Sequence, residues 1–324
     1  MKKILSLMII LLLILGTAGC TKASNKGVST PNPEQKFITI ATGDTSGPYF
    51  TIGEALAKVY KKKLHYKTAI QSTDGSVENI KLLENHKADL AFVMSDAASS
   101  VLNELGKLKD GSTQGFKAMA GLYPNYVQIV TLSANKIKSV SDLKGKRVGV
   151  GAPNSGVEAN ARIILNEQGI TYNDIKPEYL SYEEAIEQLK SKKIDAAFVT
   201  SGLPNNAVLK LQSSKEVMIV PIKSSDINHL TKQFPFFEKS EIPAGVYQNK
   251  HPIPTVAIRN ILLVRSDLSK NQVYKMTKIF FENLDVLQMA HQAANSINRI
   301  DAGKGLVVPL HPGAKKYFEE LYDK

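Results

Sequence analysis

Residues 37–60, "FITIATGDTSGPYFTIGEALAKVY", run from an apolar strand through a Gly-Asp-Thr-Ser-Gly loop into an amphipathic helix. Residues 146–165, "KRVGVGAPNSGVEANARIIL", repeat that order. Each unit leads to a helix, a short basic turn and an apolar strand: "SVENIKLLENHKADLAFVMSD" at 76–96 parallels "SYEEAIEQLKSKKIDAAFVTSG" at 181–202. The order strand, Gly-rich loop, helix, helix, D-x-A-F-V strand thus occurs twice. Alternating β and α signals argue for layered α/β structure with largely parallel sheets. The repeat argues for two similar lobes, each with a loop at the carboxyl end of its first strand, where open parallel sheets bind ligands. Generic reuse of a common α/β unit gives the same similarity without that pairing.

Two further apolar stretches, 121–137 and 256–269, read as strands crossing from one lobe to the other and back. Two crossings make a hinge of two strands, and a hinge implies a cleft that closes. The domains expected are a first lobe at 37–125, a second at 126–261, and a return to the first lobe at 262–324, helical from about Lys270 to Asn295.

The start of the chain bears on location. "MKKILSLMIILLLILGTAGC" has two lysines, an apolar run from Ile4 to Leu15 broken only by Ser6, and small residues before Cys20. The run is short for a membrane span and suits an export signal at 1–19. Ala18, Gly19 and Cys20 match a lipobox, with Thr17 where a branched apolar residue is usual. The expectation is a lipid-modified (palmitate-bearing) Cys20, a flexible polar linker over 20–36, and a chain held on the extracytoplasmic face of the cell membrane. An ordinary secretory signal with an incidental cysteine is the alternative.

Cys20 is the sole cysteine, so neither a disulfide framework nor a thiol nucleophile is available to the body. Removal of the signal takes two lysines and no acids, lowering the formal charge from +11 to +9. Apart from "KKK" at 61–63 the lysines are scattered. This reads as solvated surface with a mild bias towards anions rather than as a nucleic-acid interface.

The loops suit holding a ligand. Gly43-Asp44-Thr45-Ser46-Gly47 precedes Pro48, a residue favoured at the first helical position. Free N–H groups of that helix, with Thr45 and Ser46 hydroxyls, suit a carboxylate or small oxyanion. A plain βα turn is the alternative. No lysine follows as a nucleotide P-loop requires, and "GVGAPNSG" spaces its glycines wrongly for a dinucleotide fingerprint. Ser155 is a good N-cap, and Glu158 and Arg162 read as a surface pair. Ser72, Thr73, Gly75 and Ser76 offer a third donor set, while Tyr49 and Tyr123 read either as cleft walls or as core. The six histidines show no H-E-x-x-H or ligand-spaced pair, no G-x-S-x-G elbow exists, and Glu183-Glu184 and Glu319-Glu320 lie on expected helix surfaces. No metal, cofactor or enzymatic role is expected.

Taken in order, these motifs resemble the TAXI family of TRAP-transporter solute-binding proteins. The resemblance rests on Ile40 to Gly47 with Tyr49, Phe50 and Gly53; on Gly75, Ser76 and Asn79; and on "DLKGKRVGVG" at 142–151 followed by Ser155-Gly156. Gly202 with Pro204 and "VPLHPGAKKYFEE" at 308–320 complete it. It implies a two-lobe type II periplasmic-binding-protein fold, α/β with mixed, mostly parallel sheets. It also implies delivery of an anionic or zwitterionic solute (glutamate, glutamine or a dicarboxylate, an organic acid first) to TRAP permease subunits driven by an ion gradient. The protein is expected to act as a monomer. The solute contacts implied are Gly43, Thr45, Ser46, Tyr49, Ser72, Gly75, Ser76, Asp96, Tyr123, Asn154, Ser155, Gly156, Val157, Thr200 and Gly202. Val157 for the family's threonine, Phe50 for tyrosine and Met94 for glutamine imply a less polar cleft. Alternatives are the binding protein of an ATP-driven importer, a ligand-sensing lipoprotein, and an exported enzyme.

Overall fold

The computed structural model describes residues 36–104 and 115–323. The export signal, Cys20 and nearly all of the linker therefore lie outside the described residues. The first half of the chain forms β1 (Phe37–Ala41), α1 (Pro48–Leu64), β2 (Lys67–Gln71), α2 (Ser76–Glu84), β3 (Leu90–Met94) and α3 (Ser95–Glu104). After β4 (Phe116–Leu132) the second unit forms β5 (Arg147–Gly149), α4 (Gly156–Glu167), β6 (Lys176–Glu178), α5 (Tyr182–Lys190) and β7 (Ala196–Ser201). It continues through α6 (Asn206–Gln212), β8 (Val217–Val220), α7 (Ser224–Gln233) and β9 (Phe237–Ile242). Strand β10 (Ile253–Arg265) returns to the first lobe, which α8 (Lys270–Glu282), α9 (Leu284–Ala290) and α10 (Pro312–Tyr322) complete.

The ten strands among the described residues join one mixed ladder, ordered β2-β1-β3-β10-β4-β7-β5-β6, with β8 on β4 and β9 on β10. The wings are parallel: β1 pairs with β2 and β3, and β5 pairs with β6 and β7. At the centre β4 and β10 run antiparallel and change neighbours midway. Strand β10 pairs with β9 through Ile258 and with β3 from Asn260; β4 pairs with β7 only from Tyr126 onward. The changeover coincides with Pro124, opposite Arg259, and with a register shift between Arg259 and Ile261. Proline withholds a ladder N–H and a bulge bends the strand, so the sequence weakens the sheet where the lobes meet.

The repeated aspartate has a structural role. Asp89 Oδ2 accepts from Thr39 N at 2.8 Å, and Asp195 Oδ2 accepts from Arg147 N at 2.9 Å. In both lobes the carboxylate before the A-F-V strand clamps the start of the neighbouring first strand. Asn79 is also structural: its amide donates to the carbonyls of Thr42 and Phe92, tying α2 to β1 and β3.

The buried apolar residues fall into groups that follow the lobes. One gathers Ile52, Leu56, Tyr60, Phe92, Tyr123, Phe280 and Phe318; another gathers Ile129, Val148, Ile164, Phe198, Leu230 and Ile258. Met94, at the end of a first-lobe strand, packs with the second group. The tail departs from one continuous helix. Asn283 leaves helical geometry at φ −126° while its amide holds the Ile279 carbonyl, and His291 at φ −155° breaks the chain again. Both side chains compete for backbone groups, which ends a helix.

Candidate binding cleft

A cavity open at its mouth lies between the matching loops of the two lobes. Four helix starts border it: Gly47-Pro48-Tyr49 at α1, Gly75-Ser76 at α2, Ser155-Gly156-Val157 at α4, and Ser181-Tyr182 at α5. The α1 and α2 starts have no side-chain cap, whereas Ser155 and Ser181 cap α4 and α5 by accepting from Glu158 N and Glu184 N. Helix starts carry positive dipole ends and unsatisfied N–H groups, so the walls favour a carboxylate.

The side-chain charge is of the opposite sign. Asp44 and Asp74 line the cavity, and among the described residues no lysine, arginine or histidine does. The outer recess beside it is lined by Asp44, Asp74, Glu78, Glu183 and Glu184, again with no base. Burial, then the charges of Glu78 and Glu184, raise the Asp74 carboxyl above its ordinary value. The mouth of a chain with formal charge +11 is therefore acidic.

Most hydroxyls in the three loops hold the loops themselves. Ser46 donates to Asp44 Oδ1 through both N and Oγ, and Ser72 Oγ donates to the Gly43 carbonyl at 2.8 Å. Thr73 Oγ1 donates to Asn79 Oδ1, and Ser155 Oγ donates to the Ala152 carbonyl, both at 2.7 Å. Thr200 differs: its Oγ1 is buried in the cavity wall with no hydrogen-bond partner among the described residues. Tyr182 donates its hydroxyl to the Thr200 carbonyl at 2.6 Å, and Tyr49 donates to Asn260. Burial first, then Tyr182 and Asp96, push the Tyr49 hydroxyl well above its ordinary range, so it is a neutral donor.

Several contacts join the lobes at or beside the cavity. Tyr182 N donates to Asp44 Oδ2 at 3.0 Å, Lys81 Nζ to Asn154 Oδ1 at 3.1 Å, and Asn160 Nδ2 to Asp96 Oδ2 at 2.6 Å. Gly75 faces Ser155, and Gly156 lies against Met94 and Ser76.

Of the residues implied by the resemblance, Gly43, Tyr49, Gly75, Ser76, Ser155, Gly156, Val157 and Thr200 line the cavity. Thr45 and Ser72 line the outer recess. Five are outside both linings. Ser46 is turned onto Asp44, and Asp96 lies between α3 and α4 on Asn160. Tyr123 is packed in the first-lobe core beside Tyr49. Asn154, at a left-handed φ of 56°, pairs with Lys81. Gly202 is pressed against Ala293 and Tyr123, where an added Cβ would come within 2.8 Å. Sequence reasoning missed Asp44, Asp74, Asn125 and the Leu180-Ser181-Tyr182 wall. The repeat held the signal for the wall, since Ser181-Tyr182 occupies the place of Ser76-Val77.

Residues 40–321 match the sequence profile of the NMT1-like family. Among solved structures the chain is similar to PhnD1 from Prochlorococcus marinus (MIT 9301), in complex with methylphosphonate, at 12% identity and TM-score 0.55; the match covers 89% of this chain and 96% of that one. It is similar to a binding-protein component of an ABC phosphonate transporter from Pseudomonas aeruginosa, at 13% identity and TM-score 0.52, covering 82% and 81%. It is also similar to an ABC uptake transporter substrate-binding protein from Streptococcus pneumoniae with bound histidine, at 16% identity and TM-score 0.52, covering 81% and 94%. These likenesses establish the two-lobe α/β fold of periplasmic binding proteins.

Proposed function

The chain belongs to the NMT1-like family, and from that premise and its cleft we propose that it is an extracytoplasmic solute-binding protein that closes on a small zwitterionic solute and passes it to a membrane permease. The observation that carries this reading is the pairing of four helix starts with two carboxylates and no base around one interlobe cavity. Helix starts suit a single carboxylate, and Asp44 or Asp74 suits an ammonium group. A dicarboxylate would set its second charge against these acids with no cation to answer it. An amino acid is therefore favoured over the organic acid expected from the sequence. Met94, Val157 and Leu180 in the lining suit an uncharged side chain. The contacts assigned are Gly43, Tyr49, Gly75, Ser76, Ser155, Gly156, Val157 and Thr200, with Asp44 and Asp74 for the amine.

A thermal-shift screen of L-amino acids, mono- and dicarboxylates and sugars tests this, since a binder raises Tm with its concentration over Kd. Stabilisation by dicarboxylates alone, or by sugars alone, refutes the zwitterion reading. The ordered motifs support a TRAP-type permease, whereas the ABC-system proteins of the same fold support an ATP-driven importer. Uptake abolished by collapsing the ion gradient at constant ATP favours the first; uptake that tracks ATP favours the second. Anchoring through Cys20 is part of the proposal, and loss of palmitate labelling and of membrane retention in Cys20→Ser is its test.

A further inference from the structure

Asp96 lies in the first turn of α3 in the first lobe and Asn160 sits in α4 of the second; they are 2% and 0% exposed. Asn160 Nδ2 donates to Asp96 Oδ2 at 2.6 Å. The two remaining oxygens, Asp96 Oδ1 and Asn160 Oδ1, are both buried acceptors with no partner among the described residues. An ionised carboxylate has no hydrogen to offer an amide oxygen, whereas a protonated one supplies the donor that these acceptors lack.

We infer that Asp96 and Asn160 form a binding site for one proton at the lobe interface, filled from solvent as the lobes close. The inference rests on the closing-cleft reading above. Burial, opposed by the Ala97 N–H and the Asn160 amide, pushes the Asp96 carboxyl up to about 6 in this closed arrangement. Among the described residues no charged side chain accounts for that rise. On α2, Glu78 accepts from Asp74 N, Lys81 holds Asn154 and Glu84 lies against Gly115. On α4, Glu158 pairs with Arg162 and Tyr172, and Glu167 with His229. On β10, Arg259 donates to the carbonyls of Asp301 and Lys304, while Arg265 pairs with Asp89 and Asp267. Strand β3 carries no titratable side chain, though Asp89 immediately precedes it. From α1, the neutral Tyr49 hydroxyl is turned to Asn260.

Opening the lobes exposes Asp96 to water and lowers its carboxyl towards the ordinary value of 3.8. Closure therefore takes up a proton between about pH 4 and 6. It is weakest and insensitive to pH above about 6.5, and strengthens up to about a hundredfold as pH falls to 4.

The test uses the full chain in detergent with Cys20→Ser and nitroxide labels at Lys62→Cys on α1 and Lys232→Cys on α7, both exposed positions in opposite lobes. Electron–electron distances are read from pH 7.5 to 4.5 without solute. The expected result is a short-distance population that grows below pH 6.5. With Asp96→Asn, whose amide supplies the missing hydrogen permanently, that population should be high and independent of pH. A 13Cγ-aspartate titration should show one resonance, absent in Asp96→Asn, with its midpoint between about pH 4 and 6. An identical pH course in Asp96→Asn and the parent overturns the proton site. If the distance changes on adding L-glutamine or L-leucine but not with pH, the cleft closes and the proton site fails. If it changes with neither, nor in any variant, the closing-cleft reading falls with it.

Discussion

Replacing Gly156 with alanine places one methyl group in the seam between the lobes. Gly156 is the first residue of α4, where alanine is conformationally allowed, so the substitution does not strain its own backbone. In the closed arrangement the new Cβ overlaps Met94 Cε and lies 3.4 Å from Ser76 Oγ. Met94 is flexible, but it is 2% exposed and packed in the second-lobe core, so it moves only by disturbing its neighbours. Overpacking of this kind costs about 1–3 kcal/mol, and the mobility of a thioether end places it at about 1–2. Only the closed form carries the overlap, so the cost falls on closure and weakens solute binding by about 5- to 30-fold. Calorimetric titration with the solute chosen by the thermal-shift screen measures this. A urea melt of the solute-free protein should change by less than about 1 kcal/mol, because opened lobes relieve the overlap. Adding Met94→Ala should recover most of the affinity lost in Gly156→Ala. Unchanged affinity in Gly156→Ala, or a loss that Met94→Ala does not relieve, refutes the argument.

Asp96 predicts a pH dependence of stability. Its folded value of about 6 lies above the ordinary 3.8, so its stabilising proton is fully present below about pH 4 and is lost as pH rises through 6. Urea melts should show a drop across that window of at most about 3 kcal/mol, the limit for lobes that stay closed, and Asp96→Asn should remove it. Gly313→Ala sets a Cβ against the Lys270 carbonyl and 2.6 Å from Tyr274 N, backbone atoms of α8 that cannot turn aside. It should cost about 3 kcal/mol in the same assay. Ser155→Ala removes the α4 cap on Glu158 N and should cost about 1 kcal/mol, with little change at Ser181, which caps a different helix.

The repeat in the sequence carried much of the architecture. The D-x-A-F-V strands and their preceding helices are where the pattern puts them, because burial alternation and capping are local rules. The two crossing strands were legible as apolar runs, but their extents shifted to Phe116–Leu132 and Ile253–Arg265, since pairing with partners distant in sequence sets strand ends. The apolar spacing of the tail persists beyond Asn283 and so reads as one continuous helix; the side-chain bond to the Ile279 carbonyl that ends α8 leaves no periodic trace.

The site divides along the same line. Glycines and hydroxyls in the loops marked where the helix starts would point, and Gly43, Gly75, Ser155 and Gly156 do line the cavity. Composition alone suggested a mild attraction for anions. The fold decided otherwise, by bringing Asp44 and Asp74 into the lining and Glu78, Glu183 and Glu184 to its mouth while leaving the lysines elsewhere. It also decided which hydroxyls are free: Ser46 is turned onto Asp44, and Thr200 is left without a partner. By itself the sequence determined the two-lobe α/β repeat and the loop positions, because strand, helix and cap preferences act over a few residues. Only the tertiary structure decided the sign of the charge around the solute and the Asp96–Asn160 pair, because both depend on residues far apart in the chain meeting in the folded protein: Asp44 and Asp74 beside the Ser181-Tyr182 wall, and Asp96 with Asn160.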